Sequence, residues 1–576
     1  MAIIKKLLFF STLLIIFFPK LTYACDATFT GTSNTQTIVT GTDCNITVGD
    51  GTTTTTFTGH SSNNRHAIRT TDGIGTTITV KDEAKINPER YGIVHDTGTG
   101  TIETITVENG GTIEATDTSS SKIGSAIFNR STIANIINDG TIESKTRNGI
   151  VNGANGKITK IHNQSNGVIK SAKEWAIKNV GGGEIVEIEN EGSIETPNEI
   201  AIRNYGSGSK ITLIENKSGG EIKATHNTIQ IDSDATITTI TNAGTITASQ
   251  KNGKTIRVGG GTVGTINNSG TISATKNTGS NIDGQAIWVS GSGAQVDNII
   301  NSGTISTLQG DGTIYTSSLG TIGTITNSGT ISASNGTAGI RNKGTITTIN
   351  NSGTITDATD DGILNEGTIT TITNTGTITG GSGTGDVDIK NSSETITTLN
   401  NDQGADGNDA LTYDGALPTN YNIIINSTTD YGKIVFSNKS GTTTFGVDSS
   451  STFTGASVST SYSDVISGLT ESDLVSCTSD TDCITGDQYE GTNKYYWKLD
   501  DTNGDDDWDL IITEIQSSIP LASELPKTPT LESMNSLKSV TDANFAHMNT
   551  YDCDFFGNNN DGCLSLGGRR SKVTNP

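Results

Sequence analysis

Short apolar steps separated by polar corners recur along the chain between about residues 100 and 400. Each unit holds an Ile-x-x-Ile step, a Gly-Thr-Ile step, and a small residue followed by Ile, often with Asn two positions later. These steps are too short and too rich in β-branched residues for helices, and they predict three short strands per unit. Gly and Asn between the steps are typical of sharp turns, so we expect positive backbone φ angles at these corners.

A phrase made of Asn, one to three small or polar residues, Gly and then most often Thr-Ile sets the period of the units. Its glycines recur 23 to 33 residues apart, at Gly111, Gly140, Gly167, Gly192, Gly220, Gly244, Gly270, Gly303, Gly329, Gly353 and Gly376. A period near 25 residues predicts stacked coils. The backbone then pairs between coils about 4.8 Å apart, and each Ile lies over its counterpart.

We therefore predict an all-β chain dominated by a right-handed parallel β-helix with three short strands per coil. Eleven or twelve coils form a rod of roughly 50–60 Å at that spacing. The Asn before each Gly is expected to stack into a ladder of side-chain amides at one corner, which is a structural role rather than a ligand role.

The first 24 residues are typical of a bacterial export signal. A positively charged start leads into an apolar run over residues 7–18, which is too short for a membrane anchor, and a small-x-small cleavage site ends at Ala24. We predict cleavage after Ala24 and a location from the periplasm to the cell surface and outer membrane, or outside the cell. Cys25 leaves a lipoprotein as an alternative, although the bulky Tyr23 fits a lipid-attachment site poorly.

Composition divides the rest of the chain. Aromatic residues are richer after residue 400, which favours a better-packed β capping region, and prolines cluster between residues 516 and 530. The predicted parts are an amino-terminal cap with the first coils at 25–100, the repetitive β-helix at 101–400, a carboxyl-terminal β cap at 401–515, a linker at 516–530 and a final segment with one helix at 531–576.

Six cysteines form three pairs that are close in sequence. In an exported protein an even number of such cysteines predicts disulfides. A metal site is the rival interpretation, but no His lies near these pairs at ligand spacing. The candidate disulfide residues are Cys25, Cys44, Cys477, Cys483, Cys553 and Cys563.

The net charge is −24, and it is uneven along the chain. Between Asn400 and Glu514 there are 20 acidic and only 4 basic residues. An acidic surface repels phosphate backbones, so nucleic acid is excluded as the expected partner, and solubility outside the cell explains the charge.

The order of these parts resembles a bacterial autotransporter of the type V secretion class. Residues 417–425 and the acidic strand ending at Thr513 resemble the carboxyl-terminal junction of such a passenger, and residues 544–569 resemble the opening of its outer-membrane barrel. The resemblance implies a right-handed β-helical passenger that needs outer-membrane translocation machinery as a partner. Only 46 residues follow Thr530, whereas a barrel needs at least eight strands, so we expect an incomplete barrel domain. The barrel then belongs to another polypeptide, or the chain is a fragment or the product of a truncated reading frame.

The sequence contains few groups that are arranged for catalysis or metal binding. Asp360 and Asp361 are the best carboxylate pair for cutting a polysaccharide, but they lack a supporting set of His, Arg and Lys, and we interpret them as a solvated turn. The six histidines are scattered, and no nucleophile-elbow motif is present. Residues 501–507 depart from a calcium-binding loop, with Asp506 where Gly is needed, and we interpret them as an acidic turn. We predict no catalytic residue, no cofactor and no metal ligand.

We therefore predict a non-enzymatic, secreted or surface-exposed passenger for adhesion or aggregation. Its expected partners are cell-surface proteins or glycans, or further copies of the chain. Three alternatives stay open: a polysaccharide-acting β-helix enzyme, an ice-binding protein and a non-functional truncated fragment. Ice binding is suggested by Thr-Ile-Thr/Ser steps that place two hydroxyl columns on one face, at 245–247, 271–273, 304–306, 330–332, 354–356 and 377–379. Glu at the third position of earlier coils interrupts that array.

Overall fold

Up to Thr379, each turn of the chain contributes one short strand to each of three parallel sheets. The chain is all-β and forms a β-helix of about 14 turns with about 26 residues per turn. This confirms the predicted fold class and exceeds the expected eleven or twelve coils, because coils also form outside the strict repeat. The right-handed sense stays a prediction. The computed structural model describes residues 22–23, 25–33, 37–39, 42–58, 66–71, 74–96, 98, 100–116, 124–249, 253–275, 284–392, 394–404, 409–501 and 504–517.

The three sheets correspond to the three apolar steps of the sequence. Face 1, from the Ile-x-x-Ile step, consists of Ala27–Phe29, Asn45–Val48, Ile74–Val80, Thr101–Val107, Thr132–Asn138, Lys157–Asn163, Glu184–Asn190, Lys210–Asn216, Thr236–Asn242, Thr262–Asn268, Gln295–Asn301, Thr321–Asn327, Thr345–Asn351, Thr368–Asn374, Thr395–Asn401, Asn420–Ile423 and Thr444–Val447. Face 2, from the Gly-Thr-Ile step, consists of Thr32–Ser33, Thr55–Phe57, Ala84–Ile86, Thr112–Ala115, Thr141–Ser144, Val168–Ser171, Ser193–Thr196, Glu221–Ala224, Thr245–Ala248, Thr271–Ala274, Thr304–Thr307, Thr330–Ala333, Thr354–Asp357 and Thr377–Thr379.

Face 3 carries the small-Ile-x-Asn step. Its parallel strands are Thr22–Tyr23, Thr37–Val39, His66–Thr70, Tyr91–His95, Ser125–Asn129, Asn148–Asn152, Ile177–Val180, Ile202–Tyr205, Ile229–Asp232, Lys254–Gly259, Gln285–Val289, Ile314–Thr316, Ala338–Asn342, Asp361–Asn365, Ile389–Asn391, Leu411–Ala416, Ile434–Ser440 and Ser461–Ser467. The same sheet ends with Ile484–Glu490, Asn493–Asp500 and Asp507–Ser517, the last of which pairs antiparallel with Ser461–Ser467. A small hairpin, Ile425–Ser427 with Asp430–Tyr431, and the short 3-10 helix Glu471–Asp473 complete the described elements.

Isoleucines from successive coils lie over one another inside the β-helix. Face 1 supplies two such columns, as in Ile322 over Ile346 and Ile325 over Ile349, and faces 2 and 3 supply one column each. These side chains are almost completely excluded from solvent. Burying one Ile contributes roughly 2 kcal/mol, so the repeated column is the main source of stability.

The predicted amide ladder is present at the corner after face 1. The Nδ2 of each Asn donates to the Oδ1 of the Asn in the next coil, at 2.7 to 3.3 Å, along Asn138, Asn163, Asn190, Asn216, Asn242, Asn268, Asn301, Asn327, Asn351, Asn374 and Asn401. A second, broken ladder runs along face 3 through Asn129, Asn152, Asn179 and Asn204, and again through Asn342, Asn365 and Asn391. Both ladders are buried, so their bonds satisfy amides that water does not reach.

The repeated glycines have a different role from the one the sequence suggested. None of the eleven lies in the left-handed region of φ, so the expectation of positive φ is wrong for them. They are needed because the coils approach too closely for a side chain. A Cβ at Gly329 would lie 2.2 Å from the carbonyl oxygen of Gly303, and one at Gly353 would lie 2.1 Å from that of Gly329.

The amino-terminal residues join the β-helix directly. The described strands between Ala27 and Phe57 pair in parallel with the strands of the following coils, so they belong to the first coils. Disulfides join Cys25 to Cys44 and Cys477 to Cys483. Residues 1–21 and Ala24 of the predicted export signal, the predicted helix, and the pair Cys553 and Cys563 lie outside the described residues.

Face 2 stops before the other faces, and a side chain covers its last edge. Gln403 is 4% exposed, and its amide pairs with both backbone groups of Ile378, accepting from N at 2.8 Å and donating to O at 3.1 Å. The side chain therefore takes the place of a further strand at this edge.

Candidate functional site

Face 3 carries an outward column of basic and aromatic side chains. Because the strands stack in register, the position after each buried Ile falls on one line along the face. The line contains Lys178, Arg203, Gln230, Arg257, Trp288, Tyr315 and Arg341. The described strands of faces 1 and 2 contain no Trp and no Arg, so these side chains distinguish face 3 from the other two faces.

The first cluster on this column is centred on Trp175. The Nζ of Lys178 lies 4.4 Å from the Trp175 ring centroid, and the Cζ of Arg203 lies 4.7 Å from it. The same guanidinium lies 4.6 Å from the ring centroid of Tyr205, which is 39% exposed. Burial lowers the pKa of Lys178, and the positive charge of Arg203 lowers it further.

The second cluster is centred on Trp288. The Cζ of Arg257 lies 5.0 Å from its ring centroid and the Nζ of Lys254 lies 5.8 Å away. Asp232 connects the two clusters, because its carboxylate lies 2.5 Å from Arg257 Nη1 and 3.5 Å from Arg203 Nη2. Asp232 is almost buried, so these charge-assisted contacts hold both guanidinium groups in place.

We call Trp175, Arg203, Tyr205, Arg257 and Trp288 the aromatic–arginine column. Flat rings beside fixed guanidinium groups can stack on a ligand and hydrogen-bond to it at the same time. Trp, Tyr and Arg are also the residues that contribute most to binding in protein interfaces. These side chains are spread over several coils and are partly exposed, which suits an extended partner better than a small molecule.

Face 2 divides into a charged half and a hydroxyl half. In the charged half Glu143, Lys170, Glu195 and Lys223 stack in register, and they line a groove of about 600 Å³. Successive charges pair across the coils, with 3.4 Å between Lys170 and Glu143 and 3.2 Å between Lys223 and Glu195. The charges therefore satisfy one another, and the groove offers a partner little uncompensated charge.

The hydroxyl half begins at Thr245. The predicted columns are in register, with the first Thr of each step over the next and the third residues stacked as Thr247, Ser273, Ser306, Ser332, Thr356 and Thr379. Three of these six are serines, and Ser273 is only 9% exposed. The hydroxyl groups are therefore regularly spaced along the face, but they come from two residue types and differ in solvent exposure.

The candidate carboxylates Asp360 and Asp361 are not equivalent. Asp361 is 1% exposed, so its interpretation as part of a solvated turn is wrong. Its Oδ1 accepts a hydrogen bond of 3.2 Å from the backbone N of Val387, and its Oδ2 lies 3.6 Å from the Nζ of Lys390. Burial raises the pKa of Asp361 to about 6, and burial with Asp386 nearby also raises the pKa of Asp360. The contacts of Asp361 close the corner of a coil, which is a structural role.

The acidic turn after Asp501 has a local explanation. The Asp501 carboxylate accepts hydrogen bonds from the backbone N of Gly504, Asp505 and Asp506 at 2.8 to 3.3 Å. These bonds occupy its oxygens within the turn. The nearly buried Asp501 thus organises the segment from inside.

Two histidines differ sharply in their surroundings. His95 is fully buried, and its ring nitrogens contact Thr70 Oγ1 at 2.6 Å and Gly100 O at 3.0 Å. Burial lowers the pKa of His95, which is consistent with a neutral structural side chain. His162 instead faces Glu189 and Glu191 on the outside of face 1. Sequence reasoning missed this group, because His162 is 27 residues from Glu189 and becomes its neighbour only when successive coils stack.

Comparison with protein families, with characterised proteins and with solved structures gave no match. No helix among the described residues is long and apolar enough to cross a membrane.

Proposed function

We propose that this chain is an exported, non-enzymatic adhesion protein that binds another cell surface through the aromatic–arginine column on face 3. The observation that carries the proposal is that Arg203, Arg257 and Trp288 lie on one line of a stacked sheet, with Trp175 and Tyr205 packed against the Arg203 guanidinium beside that line. We also propose export in the manner of an autotransporter passenger, which the sequence resembles, with outer-membrane translocation machinery as a partner.

Preorganisation is the physical reason for favouring binding. Every residue of the column sits on or beside a strand that pairs with both neighbouring coils, so little conformational freedom is lost when a partner docks. The Asp232 contacts restrict the two guanidinium groups further. Affinity then comes from a few anchors along the face rather than from one deep pocket.

A cell-attachment assay with matched variants tests the proposal. The purified full chain is coated on a surface, and attached cells of several types are counted together with binding to an array of cell-surface glycans. Tyr205→Ala with Trp288→Ala removes one ring from each cluster, and we expect at least a tenfold loss of apparent affinity, since one such anchor contributes about 2 kcal/mol or more.

The control is Thr238→Ala with Thr347→Ala, which alters exposed residues on face 1. It should attach cells as the unchanged chain does. Circular dichroism confirms that each variant keeps its β structure. Absence of attachment and glycan binding by the unchanged chain, or equal attachment by both pairs of variants, contradicts the proposal.

Ice binding is the second candidate, because the two hydroxyl columns of face 2 are in register over six coils. It predicts thermal hysteresis of the purified chain that falls when Thr330 and Thr354 are changed to Val. Freezing behaviour equal to that of albumin rules this candidate out.

A further inference from the structure

Three side chains of metal-binding type meet on the outside of face 1. His162 lies directly opposite Glu189 of the next coil, and Glu191 follows just beyond the end of that strand. The ligand atoms of the three residues all lie within 4.8 Å of one another. His162 Nε2 is 3.4 Å from Glu191 Oε1 and 4.0 Å from Glu189 Oε2.

One ring nitrogen of His162 lacks a hydrogen-bond partner. Its Nε2 atom is buried and has no hydrogen-bond partner, even though Glu191 is only 3.4 Å away, because the geometry is unsuitable for a hydrogen bond. A buried polar atom without a partner costs about 1–3 kcal/mol. A cation placed between this nitrogen and the two carboxylates would satisfy it. The His162 side chain as a whole is 24% exposed, so an ion can reach the group.

Two lysines compete for one of the carboxylates. Lys160 contacts Glu189 Oε2, and Lys217 lies 3.5 Å from Glu189 Oε1. Each lysine has a second partner in reach, however, since Lys160 lies 3.1 Å from Glu187 and Lys217 lies 2.8 Å from Glu215. A metal ion that takes Glu189 therefore leaves neither ammonium group without a counter-charge.

We propose that His162, Glu189 and Glu191 bind a divalent transition-metal ion, with Zn²⁺ as the best fit. Imidazole nitrogen and carboxylate oxygen are both zinc ligands, whereas Ca²⁺ prefers six to eight oxygens. Three protein ligands leave a tetrahedral position for water or a further donor. The ion joins two successive coils, so it also stabilises their stacking. This site lies on a different face from the aromatic–arginine column and is independent of the proposed adhesion.

Titration of the full chain with Zn²⁺, followed by isothermal titration calorimetry, tests the site. We expect one strong binding event per chain, weakened at least tenfold by His162→Gln and by Glu191→Gln. The matched control is His226→Gln, because His226 is a partly exposed histidine whose Nδ1 already contacts the backbone oxygen of Asn198 at 3.1 Å. The control variant should bind Zn²⁺ like the unchanged chain.

Two further measurements sharpen the test. Cobalt(II) in place of Zn²⁺ should give the visible absorption of a tetrahedral site, lost in His162→Gln. Lys160→Met with Lys217→Met removes the competing ammonium groups and should tighten Zn²⁺ binding severalfold. The proposal is overturned if the unchanged chain binds no Zn²⁺, or if His162→Gln, folded by circular dichroism, binds it equally well.

Discussion

The hydrophobic core is packed differently in two regions of the molecule. These are the coils between residues 124 and 401 and the region between residues 411 and 515. In the coils the buried position of each strand stacks Ile on Ile, Val or Leu, and each corner Asn after face 1 bonds to the next Asn. In the later region the core is made of different large rings, with centroids 5.2 to 6.1 Å apart along Tyr413, Phe436, Tyr421, Phe445 and Trp497. The repeated coils use one packing arrangement that is copied from coil to coil, whereas in the last described coils a set of different large side chains fills the core.

At the boundary between the two regions, individual residues cover the last strand edges. The last face 2 strand ends at Thr379, and Gln403 supplies the amide that the missing strand would have supplied. Beyond it, Ser461–Ser467 pairs antiparallel with Asp507–Ser517, which ends the parallel stacking of face 3. Stability in the coils is thus shared among many similar neighbours, while the end depends on a few individual residues.

Trp508→Ala is expected to have the largest effect, because it tests this dependence on individual residues. Trp508 is 1% exposed and its Nε1 donates to Leu469 O at 2.7 Å. Removing the ring should lower the free energy of unfolding of the terminal region by about 3–5 kcal/mol. Hydrogen exchange should accelerate over residues 461–515 and stay unchanged over residues 236–351.

Tyr489→Ala is the matched control, since Tyr489 is 60% exposed in the same region. It should change the free energy of unfolding by less than about 0.5 kcal/mol. If Trp508→Ala accelerates exchange equally throughout the coils, the two regions unfold as one unit and the contrast between them fails.

Gly329→Ala tests the coils and is expected to have a somewhat smaller effect. A Cβ there meets Gly303 O at 2.2 Å, so two coils must move apart, and we expect a loss of about 2–4 kcal/mol. The direction of the change in stability is informative, because a Gly-to-Ala change at an unhindered site usually stabilises a protein by restricting the unfolded chain. The urea midpoint and hydrogen exchange of the adjoining coils measure the change.

Ser328→Ala controls for that change, because Ser328 is exposed in the same turn and its Oγ lies 3.4 Å from Asn301 O. It should leave the urea midpoint almost unchanged. A Gly329→Ala chain as stable as the unchanged one would show that the repeated glycines are not required by close stacking.

The sequence predicted the fold because the features that define it are local and repeated. Ile at fixed spacing predicted the strands, and Asn before each Gly predicted the amide ladder. The role of Gly329 could not be predicted from the sequence, because glycine is favoured both at turns with positive φ and where two backbones approach closely. The first coils were predicted only as part of residues 25–100 and not strand by strand, because Ala27 and Phe57 stand where the later coils have Ile.

The candidate site was predictable only in outline. Arg203, Arg257 and Trp288 fall on one line although they are separated by 54 and 31 residues, and uneven corner lengths conceal that alignment until the register is known. The same holds for His162 and Glu189, which pair across one coil. Burial of Asp361 was missed because an Asp-Asp pair beside Gly usually indicates an exposed turn.

Asp361→Asn has the smallest expected effect and tests whether an irregular residue inside the repeated coils acts locally. Burial raises the pKa of Asp361 to about 6, so the folded chain holds this proton more tightly than the unfolded chain. The free energy of unfolding should therefore fall as pH rises from about 4 to about 6, and stay lower above that range. Asn keeps an acceptor for the Val387 N–H without a charge, so the variant should gain about 1–2 kcal/mol at pH 7.5 relative to the unchanged chain and show a flatter pH profile. Asp297→Asn, at an exposed position on face 1, should keep the original profile. A variant that loses stability at pH 7.5 would show instead that the ionised carboxylate and Lys390 form a net stabilising pair.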